Sequence, residues 1–357
     1  MLIAPLDWGL GHATRSIPLI SFFKNQQIRV LVCGNGAIKE LLQQEFPDLE
    51  ILTLRGYNIQ YSQNGKSFLF NMLLQIPKII FSVWYENRWL KRALKKYHID
   101  AVISDNRLGC FNKSIPSVFI THQLNIKTGY SWVDKFIRRL NYFFINQFEE
   151  CWVPDYSNEK CIAGELSHPS QYPTTPVKYI GLMSRFKKSE NVSKFKVCFL
   201  LSGPEPQRTI LENKILQELE LLNDSAVIIR GIPNKKTTLR LQNKNITQYN
   251  HLNANELCTI IQESEFVIAR SGYSTIMDLI SLEKNAVLIP TPGQTEQEYL
   301  GRYLNDKGLF YSVSQDKFNL HESLQQLYNK PFEKSSFLKK YKETVTDWII
   351  RAQTARK

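Results

Sequence analysis

Residues 266–303, FVIARSGYSTIMDLISLEKNAVLIPTPGQTEQEYLGRY, restrict the fold more than any other stretch. Two short apolar runs, Phe266 to Ala269 and Ala286 to Ile289, read as strands of a buried sheet. The first ends in Arg270-Ser271-Gly272-Tyr273-Ser274-Thr275, which turns the chain into a helix. The second stops at Pro290-Thr291-Pro292-Gly293, and Gln294 to Tyr303 begin another helix. In an open parallel sheet, ligands bind beyond the carboxyl ends of the strands, where both polar turns lie. A helix N-terminus offers free N–H groups and partial positive charge, which suits a phosphate. The expectation is a nucleotide diphosphate site.

The N-terminal half repeats the pattern. Leu2 to Leu6 read as a strand, Asp7 to Arg15 (DWGLGHATR) as a Gly-rich turn, and Ser16 to Phe23 as a helix. Ile28 to Cys33, a helix over Ala37 to Glu45, and Leu49 to Leu54 complete a βαβαβ series, the doubly wound pattern. Gly9 and Gly11 allow close backbone approach to a ligand. The spacing is GxGH, so the GxGxxG dinucleotide fingerprint is absent. His12 lies where the turn enters the helix, and both a capping or packing role and a functional one stay open.

Further strand ends carry polar groups. Ile99 to Ser104 end in Asp105-Asn106-Arg107, and Ser117 to Thr121 end in His122-Gln123-Leu124-Asn125. Asp105 and His122 are candidates for acid/base or acceptor-binding work, or satisfied turn residues. Cys151 to Asp155 give one more strand end. A polar segment at 183–195 reads as a linker, and Lys196 to Leu201 restart a sheet. Ser202-Gly203-Pro204-Glu205-Pro206-Gln207-Arg208 is a second turn able to supply amides and an arginine to phosphate, before a helix over Thr209 to Leu222. Ala226 to Ile229 end in Arg230-Gly231. The expected organisation is a first domain over 1–182, a linker over 183–195 and a second domain over 196–335. An amphipathic tail over 336–357 would cross back onto the first domain.

Length and composition agree with two domains, since 357 residues exceed one usual core. The formal charge of +12 favours an anionic partner: nucleic acid, anionic lipid or a phosphorylated substrate. No long Lys/Arg block appears, which argues against nucleic acid. The six Cys are scattered without a CxxC, and the six His form no metal-spaced pair. That usage fits a reduced cytoplasmic protein without structural zinc. The start, MLIAPLDWGLGH, lacks a basic n-region and reads as no signal peptide. The most apolar run, Phe68 to Tyr85, contains Asn71, Gln75, Pro77 and Lys78 and makes a poor membrane span. In 66–96, Trp84, Tyr85 and Trp89 sit beside Lys78, Arg88, Lys91, Arg92, Lys95 and Lys96, and Pro77 should kink a helix. Residues 132–148 mix Lys135, Arg138 and Arg139 with Phe136, Tyr142, Phe143 and Phe144. Aromatics flanked by cations suit a membrane interface, while amphipathic helices also simply face a core. Both readings stay open.

Two α/β halves, the GxGH turn at 9–12, SGYSTIMD at 271–278 and PTPGQTEQEY at 290–299 together resemble the GT-B glycosyltransferases, and within them glycosyltransferase family 28. The resemblance implies an α/β GT-B fold of two Rossmann-like domains, their parallel sheets facing a central cleft. It implies a nucleotide sugar held mainly by the C-terminal half and an acceptor entering from the N-terminal half. It implies no catalytic metal and no cofactor beyond a UDP-sugar donor. On this pattern Ser271, Gly272, Ser274 and Thr275 meet the diphosphate, and Asp278 takes the place of the family's ribose-binding Glu. Thr275 and Asp278 also have the spacing of a variant capping box. Gln297, preceded by Glu296, matches the donor-sugar glutamine. Glu296 and Glu298 also suit a helix first turn. Gly11, Ser202, Gly203, Arg208, Arg230 and Arg270 complete the expected donor side. His122 and Asn125 match an acceptor-side HEQN-like stretch.

The expected chemistry is inverting, metal-independent transfer of a hexose-type sugar to a hydroxyl on a lipid or glycan. Helix N-termini with Arg208 or Arg270 would stabilise the departing diphosphate. His12 is the first candidate base, since imidazole titrates near neutral pH, and Asp105 the second. A sugar-nucleotide epimerase or hydrolase of the same fold, and a non-catalytic sugar-nucleotide-binding protein, are the alternatives. The expected location is cytoplasmic, with peripheral membrane contact through 66–96 and 132–148.

Overall fold

The structure, a computed structural model, describes residues 1–7, 9–57, 68–189, 191–220, 224–232, 239–240, 245–329, 337 and 341–354. Of 68–76 and 239–240 only the backbone is described. The expectations at Trp8, at 66–67 with the side chains of 68–76, at Leu222, and at Ser336, Leu338 and Arg356 lie outside the described residues. The chain forms two compact units, Met1–Met183 with Phe337–Lys357, and Ser184–Ser336.

The first unit runs β1 (Leu2–Pro5), α1 (Leu10–Asn25), β2 (Leu31–Gly34), α2 (Gly36–Glu45), β3 (Glu50–Thr53), α3 (Phe68–Tyr97), β4 (Val102–Asp105), β5 (Ser117–Ile120), α4 (Ser131–Ile145), β6 (Glu150–Val153) and β7 (Val177–Tyr179). Its strands form one sheet in the order β3-β2-β1-β4-β5-β6-β7, every pairing parallel. Most of these strands are buried along their whole length, as in a sheet that helices cover on both faces. Leu2, Ala4, Leu31, Leu52 and Val102 pack against Leu90 and Ala93 of α3 in one cluster.

One helix differs from the sequence reading. α1 begins at Leu10, not Ser16, so Gly11 and His12 lie in its first turn. Gly9 caps it with φ 90, a conformation open to glycine, and no side chain caps the helix. With no Ser, Thr, Asp or Asn at the start, the usual sequence signal for a helix end is missing.

The second unit runs β8 (Phe195–Leu200), α5 (Gln207–Leu219), β9 (Ala226–Ile229), β10 (Leu239–Arg240), β11 (Ile246–Tyr249), α6 (Ala254–Gln262), β12 (Ser264–Ala269), α7 (Tyr273–Ser281), β13 (Ala286–Leu288), α8 (Thr295–Asp306), β14 (Tyr311–Ser312) and α9 (Leu320–Asn329). The sheet order is β10-β11-β9-β8-β12-β13-β14, six strands parallel and the two-residue β10 antiparallel on the edge. Its core joins Val197, Phe199, Ile228, Ile268 and Val287 to Leu211 and Ile215 of α5. Residues 184–189 lie along this unit, where Ser184 Oγ donates to Asp278 and the Ser189 N–H to Gln262.

The last helix, α10 (Tyr341–Thr354), belongs to the first unit. Trp348 is buried edge-on against Trp152, ring centroids 5.4 Å apart, and Arg351 pairs with Glu150 at 2.6 Å. Both units are thus α/β, Rossmann-like layers, as expected from the sequence.

Candidate active site

Sheet order decides which loops meet. In the first unit the strand sequence reverses between β1 and β4, and in the second between β8 and β12. Ligands of doubly wound sheets bind outside the carboxyl ends of the strands at such switch points. The loop after β1 leads into α1, whose first turn carries His12, β4 ends at Asp105, and His122 follows the neighbouring β5. The loop after β8 carries Ser202 and Gly203, and the loop after β12 carries Arg270, Ser271 and Gly272.

The first cluster is tightly joined. His12 Nδ1 lies 2.9 Å from Asp105 Oδ1. Arg15, one turn along α1, donates from Nε to Asp105 Oδ2 at 2.9 Å and from Nη2 to Oδ1. Its Nη2 is also 2.9 Å from His12 Nδ1, and its Nη1 is 3.2 Å from His122 Nδ1. Asp105 is buried, yet the Arg15 and His12 charges and hydrogen bonds outweigh that burial and hold its carboxyl well below the usual carboxylate range. The His12 side chain keeps 14% exposure while Asp105 keeps 3%, so the imidazole is the accessible member. A proton on Nδ1 facing Asp105 leaves Nε2 as the ring's basic nitrogen. Asn125 is held separately, its N–H donating to the Leu166 carbonyl at 2.9 Å. Arg15 was not singled out from sequence. Its signal is the i,i+3 spacing from His12, visible only once both residues are known to be helical.

A second ionic group lies in the same unit. Arg107 pairs with Glu86 at 2.7 Å, donates to the Pro5 carbonyl at 2.8 Å and lies 3.8 Å from Asp7. Tyr57 donates to Glu86 at 2.9 Å. Burial pushes the Glu86 carboxyl up in spite of Arg107, and the Tyr57 hydroxyl with it. All three are buried, and they brace the turn after β4 rather than a surface.

In the second unit the three expected arginines differ. Arg208 of α5 is paired with Glu205 and, at 2.9 Å, with Glu212. Arg230, after β9, pairs with Glu212 at 2.5 Å and donates to Asn250 at 2.8 Å. Arg270 is 1% exposed, and among the described residues its acceptors are neutral: the carbonyls of Ile289 and Pro290 at 3.2 Å, that of Gln207 at 2.8 Å, and Gln315 Oε1 at 2.6 Å. Its Nε has no partner, and burial lowers it to about 10, which leaves it charged at neutral pH. A buried positive charge therefore stands behind the Ser271–Gly272 turn, its hydrogen bonds among the described residues going to neutral oxygens.

The turns themselves open onto helix ends. Gly272 caps α7 without a side-chain bond, so no capping box forms between Thr275 and Asp278. Ser274 and Thr275 lie in the first turn of α7, which holds no acidic residue. Gly203 takes φ +101 in the exposed turn before α5. Ser271 Oγ donates to the Gln297 carbonyl at 2.8 Å, which ties the α7 and α8 starts together. Gln297 Oε1 accepts the Thr291 N–H at 3.0 Å, and Glu298 accepts the Gly293 N–H at 2.9 Å. Glu296 and Glu298 do stand in the first turn of α8. Asp278 accepts from Ser184 Oγ at 2.6 Å and lies 3.8 Å from Arg185.

The aromatic–basic segments separate by face. On α3, Ile80, Phe81 and Trp84 are exposed, with Arg88 over the Trp84 ring at 5.0 Å, while Tyr85 and Trp89 pack on the core. On α4, Trp132, Phe136 and Phe143 are exposed. Ile79 and Val83 of α3 share a cluster with Phe144 of α4, so the two helices are neighbours. α3 runs through Pro77 as one helix. Among the described residues no helix is long and apolar enough to cross a membrane.

Comparison with known proteins agrees with this architecture. Residues 197–348 match the glycosyltransferase family 28 C-terminal domain. The UDP-N-acetylglucosamine--N-acetylmuramyl-(pentapeptide) pyrophosphoryl-undecaprenol N-acetylglucosamine transferase of Sulfurihydrogenibium sp. (strain YO3AOP1) is 26% identical over 155 residues, 42% of either chain. The sequence match thus spans less than half the length of that relative. Among solved structures, the glycotransferase of kitacinnamycin aligns with a TM-score of 0.64 at 12% identity, over 99% of this chain and 94% of its own. MurG of Acinetobacter baumannii aligns with a TM-score of 0.54 at 16% identity, over 98% and 99%. The fold is that of the GT-B glycosyltransferases. Within that fold, residues 197–348 are the part that matches the family 28 C-terminal domain.

Proposed function

We propose that the protein transfers a hexose-type sugar from a nucleotide-diphosphate sugar, with UDP as the nucleotide, to a hydroxyl acceptor, with inversion and without a metal. The observation that carries this reading is the accessible His12 imidazole, 2.9 Å from a buried carboxylate at the β1/β4 switch point. Transfer needs a base for the acceptor hydroxyl, and a histidine oriented by an ionised aspartate is suited to that task. On this reading Nε2 of His12 takes the hydroxyl proton, while Asp105 orients the ring and stabilises the imidazolium that forms.

Donor binding falls to the second unit. The leaving diphosphate gains negative charge as the sugar departs. The N–H groups of the Ser271–Gly272 turn and of the α7 start, the Ser274 and Thr275 hydroxyls and the Ser202–Gly203 amides are suited to its oxygens. The charge on Arg270 acts through the turn, its own hydrogen bonds remaining with carbonyls. Gln297 is the candidate contact for the sugar.

The acceptor is assigned to a lipid at a membrane surface. Phe81, Trp84, Trp132, Phe136 and Phe143 are exposed on two adjacent helices that also carry Lys78, Arg88, Lys135 and Arg139. Exposed aromatics among cations suit an anionic headgroup layer.

A thermal-shift screen of UDP-, TDP- and GDP-sugars on the full chain tests the donor. One donor at ~100 times its Kd should stabilise by ~2.7 kcal/mol. No shift with any donor overturns the reading. Donor conversion by the protein alone would make it an epimerase or hydrolase, and binding without turnover over a broad acceptor panel a non-catalytic binder. Failure to sediment with anionic vesicles at low salt would remove the membrane acceptor.

A further inference from the structure

Arg15 has no role in the reading above, yet it touches every member of the first cluster. Its guanidinium is 2% exposed and sits where the ends of β1, β4 and β5 converge. Nε and Nη2 take the two oxygens of Asp105, a bidentate pair, and Nη1 reaches His122 Nδ1 at 3.2 Å. A guanidinium only donates, so His122 Nδ1 accepts from it and the ring carries its proton on Nε2. The same guanidinium lies 2.9 Å from His12 Nδ1, so it neutralises the carboxylate that the ring faces. An unneutralised aspartate beside imidazole favours imidazolium, which cannot act as a base.

We propose that Arg15 is a positioning residue for the base, holding both oxygens of Asp105 against the His12 ring and fixing His122 as the Nε2–H tautomer. The inference rests on His12 being the base. The charged groups bonded to the His12 ring are Arg15 from its own helix and Asp105 from the end of β4, while His122 from the end of β5 bonds Arg15. Asp7, after β1, lies near Arg107 at 3.8 Å. The pairing also explains why Lys would not substitute. An ammonium is a point charge and cannot span both carboxylate oxygens and a ring nitrogen with fixed geometry.

The test needs no substrate. Nitrogen-15 spectra of histidine-labelled full chain report ring tautomer and titration, with His12→Gln and His122→Gln assigning the signals. Arg15→Met should abolish the single tautomer of His122 and change the His12 ring signals, since the Asp105 carboxylate loses its bidentate partner. Arg15→Lys should keep a charge beside Asp105 yet mix the His122 tautomers. Unchanged ring signals and tautomers in a folded Arg15→Met chain overturn the proposal. If that variant does not fold, Arg15→Lys decides, and a native His122 signature in it overturns the proposal instead. In transfer assays, kcat should fall with Arg15→Met while the donor KM stays fixed. If no donor supports transfer but the spectra change as expected, the glycosyl-transfer reading fails and the role of Arg15 in the cluster stands.

Discussion

The two sheets share a doubly wound order but arm their carboxyl edges in opposite ways. At the β1/β4 switch a buried carboxylate is neutralised by Arg15, leaving an accessible imidazole. At the β8/β12 switch a buried guanidinium, Arg270, is solvated by carbonyls alone and keeps its charge. The first arrangement moves protons, and the second attracts an anion. Balanced charge beside a titratable ring marks chemistry, whereas unbalanced charge beside a helix start marks binding. The sharpest separation comes from His12→Ala. It should lower kcat for transfer by ~10²- to 10⁴-fold. The Kd for UDP, by calorimetry, should stay within about twofold, as expected for a group that enters only at the transition state. An equal loss in both would erase the contrast.

Two carboxylates hold the arginines of the two edges, and removing each should cost stability. Glu212→Gln leaves Arg208 and Arg230 without their shared partner, and Asp105→Asn leaves Arg15 without one. Each should destabilise by ~3–5 kcal/mol in urea, as expected when a buried pair loses one member. The Asp105 case has a pH signature. Its folded carboxyl is held below the unfolded value near ~3.9, so its stabilisation is complete above that pH and is lost as pH falls below it. The gap between native and Asp105→Asn chains should therefore close on acidification below about pH 4. A gap independent of pH would show that Asp105 is not ionised in the fold.

On the donor edge, Thr275→Glu places a negative charge in the α7 first turn, where no acidic residue stands. UDP affinity should fall ~10- to 100-fold through repulsion and loss of the anion site. The rate constant at saturating donor should change far less. A loss confined to kcat would move the diphosphate elsewhere.

The layer architecture was legible because parallel strands buried on both faces are short apolar runs, and polar turns mark their ends. His12, Asp105 and His122 were legible singly for the same reason, as chemistry-bearing residues at strand ends. Their convergence was not, since it depends on β4 and β5 lying beside β1, which sequence order does not state. Arg15 was hidden by the misplaced helix start: inside a turn it has no fixed face, and inside α1 it lies beside His12. The three arginines of the second unit looked equivalent as residue types. Only the positions of Glu212 and of the Ile289 and Pro290 carbonyls show that two are ion-paired and one is not. Trp84 and Trp89 looked alike in the same way, until the helix face put one in solvent and the other against the core.

Asp278 offers the smallest effect and tests how far the donor edge extends. The resemblance puts a ribose contact here, but this carboxylate accepts from Ser184 at 2.6 Å and lies near Arg185 at 3.8 Å. Asp is one methylene shorter than Glu, and a side chain already turned toward Ser184 has less reach to a ligand. Ser184→Ala should cost ~1 kcal/mol, the usual worth of one hydrogen bond, measured by urea unfolding. If Asp278 serves as a brace for Ser184, that variant leaves UDP affinity within about twofold, and Asp278→Asn does likewise. If instead Asp278 grips the ribose, Asp278→Asn weakens UDP about tenfold or more, and dUDP binds the native chain as poorly as UDP binds the variant. The two outcomes separate a carboxylate that positions the chain from one that extends the anion-binding edge to the sugar of the nucleotide.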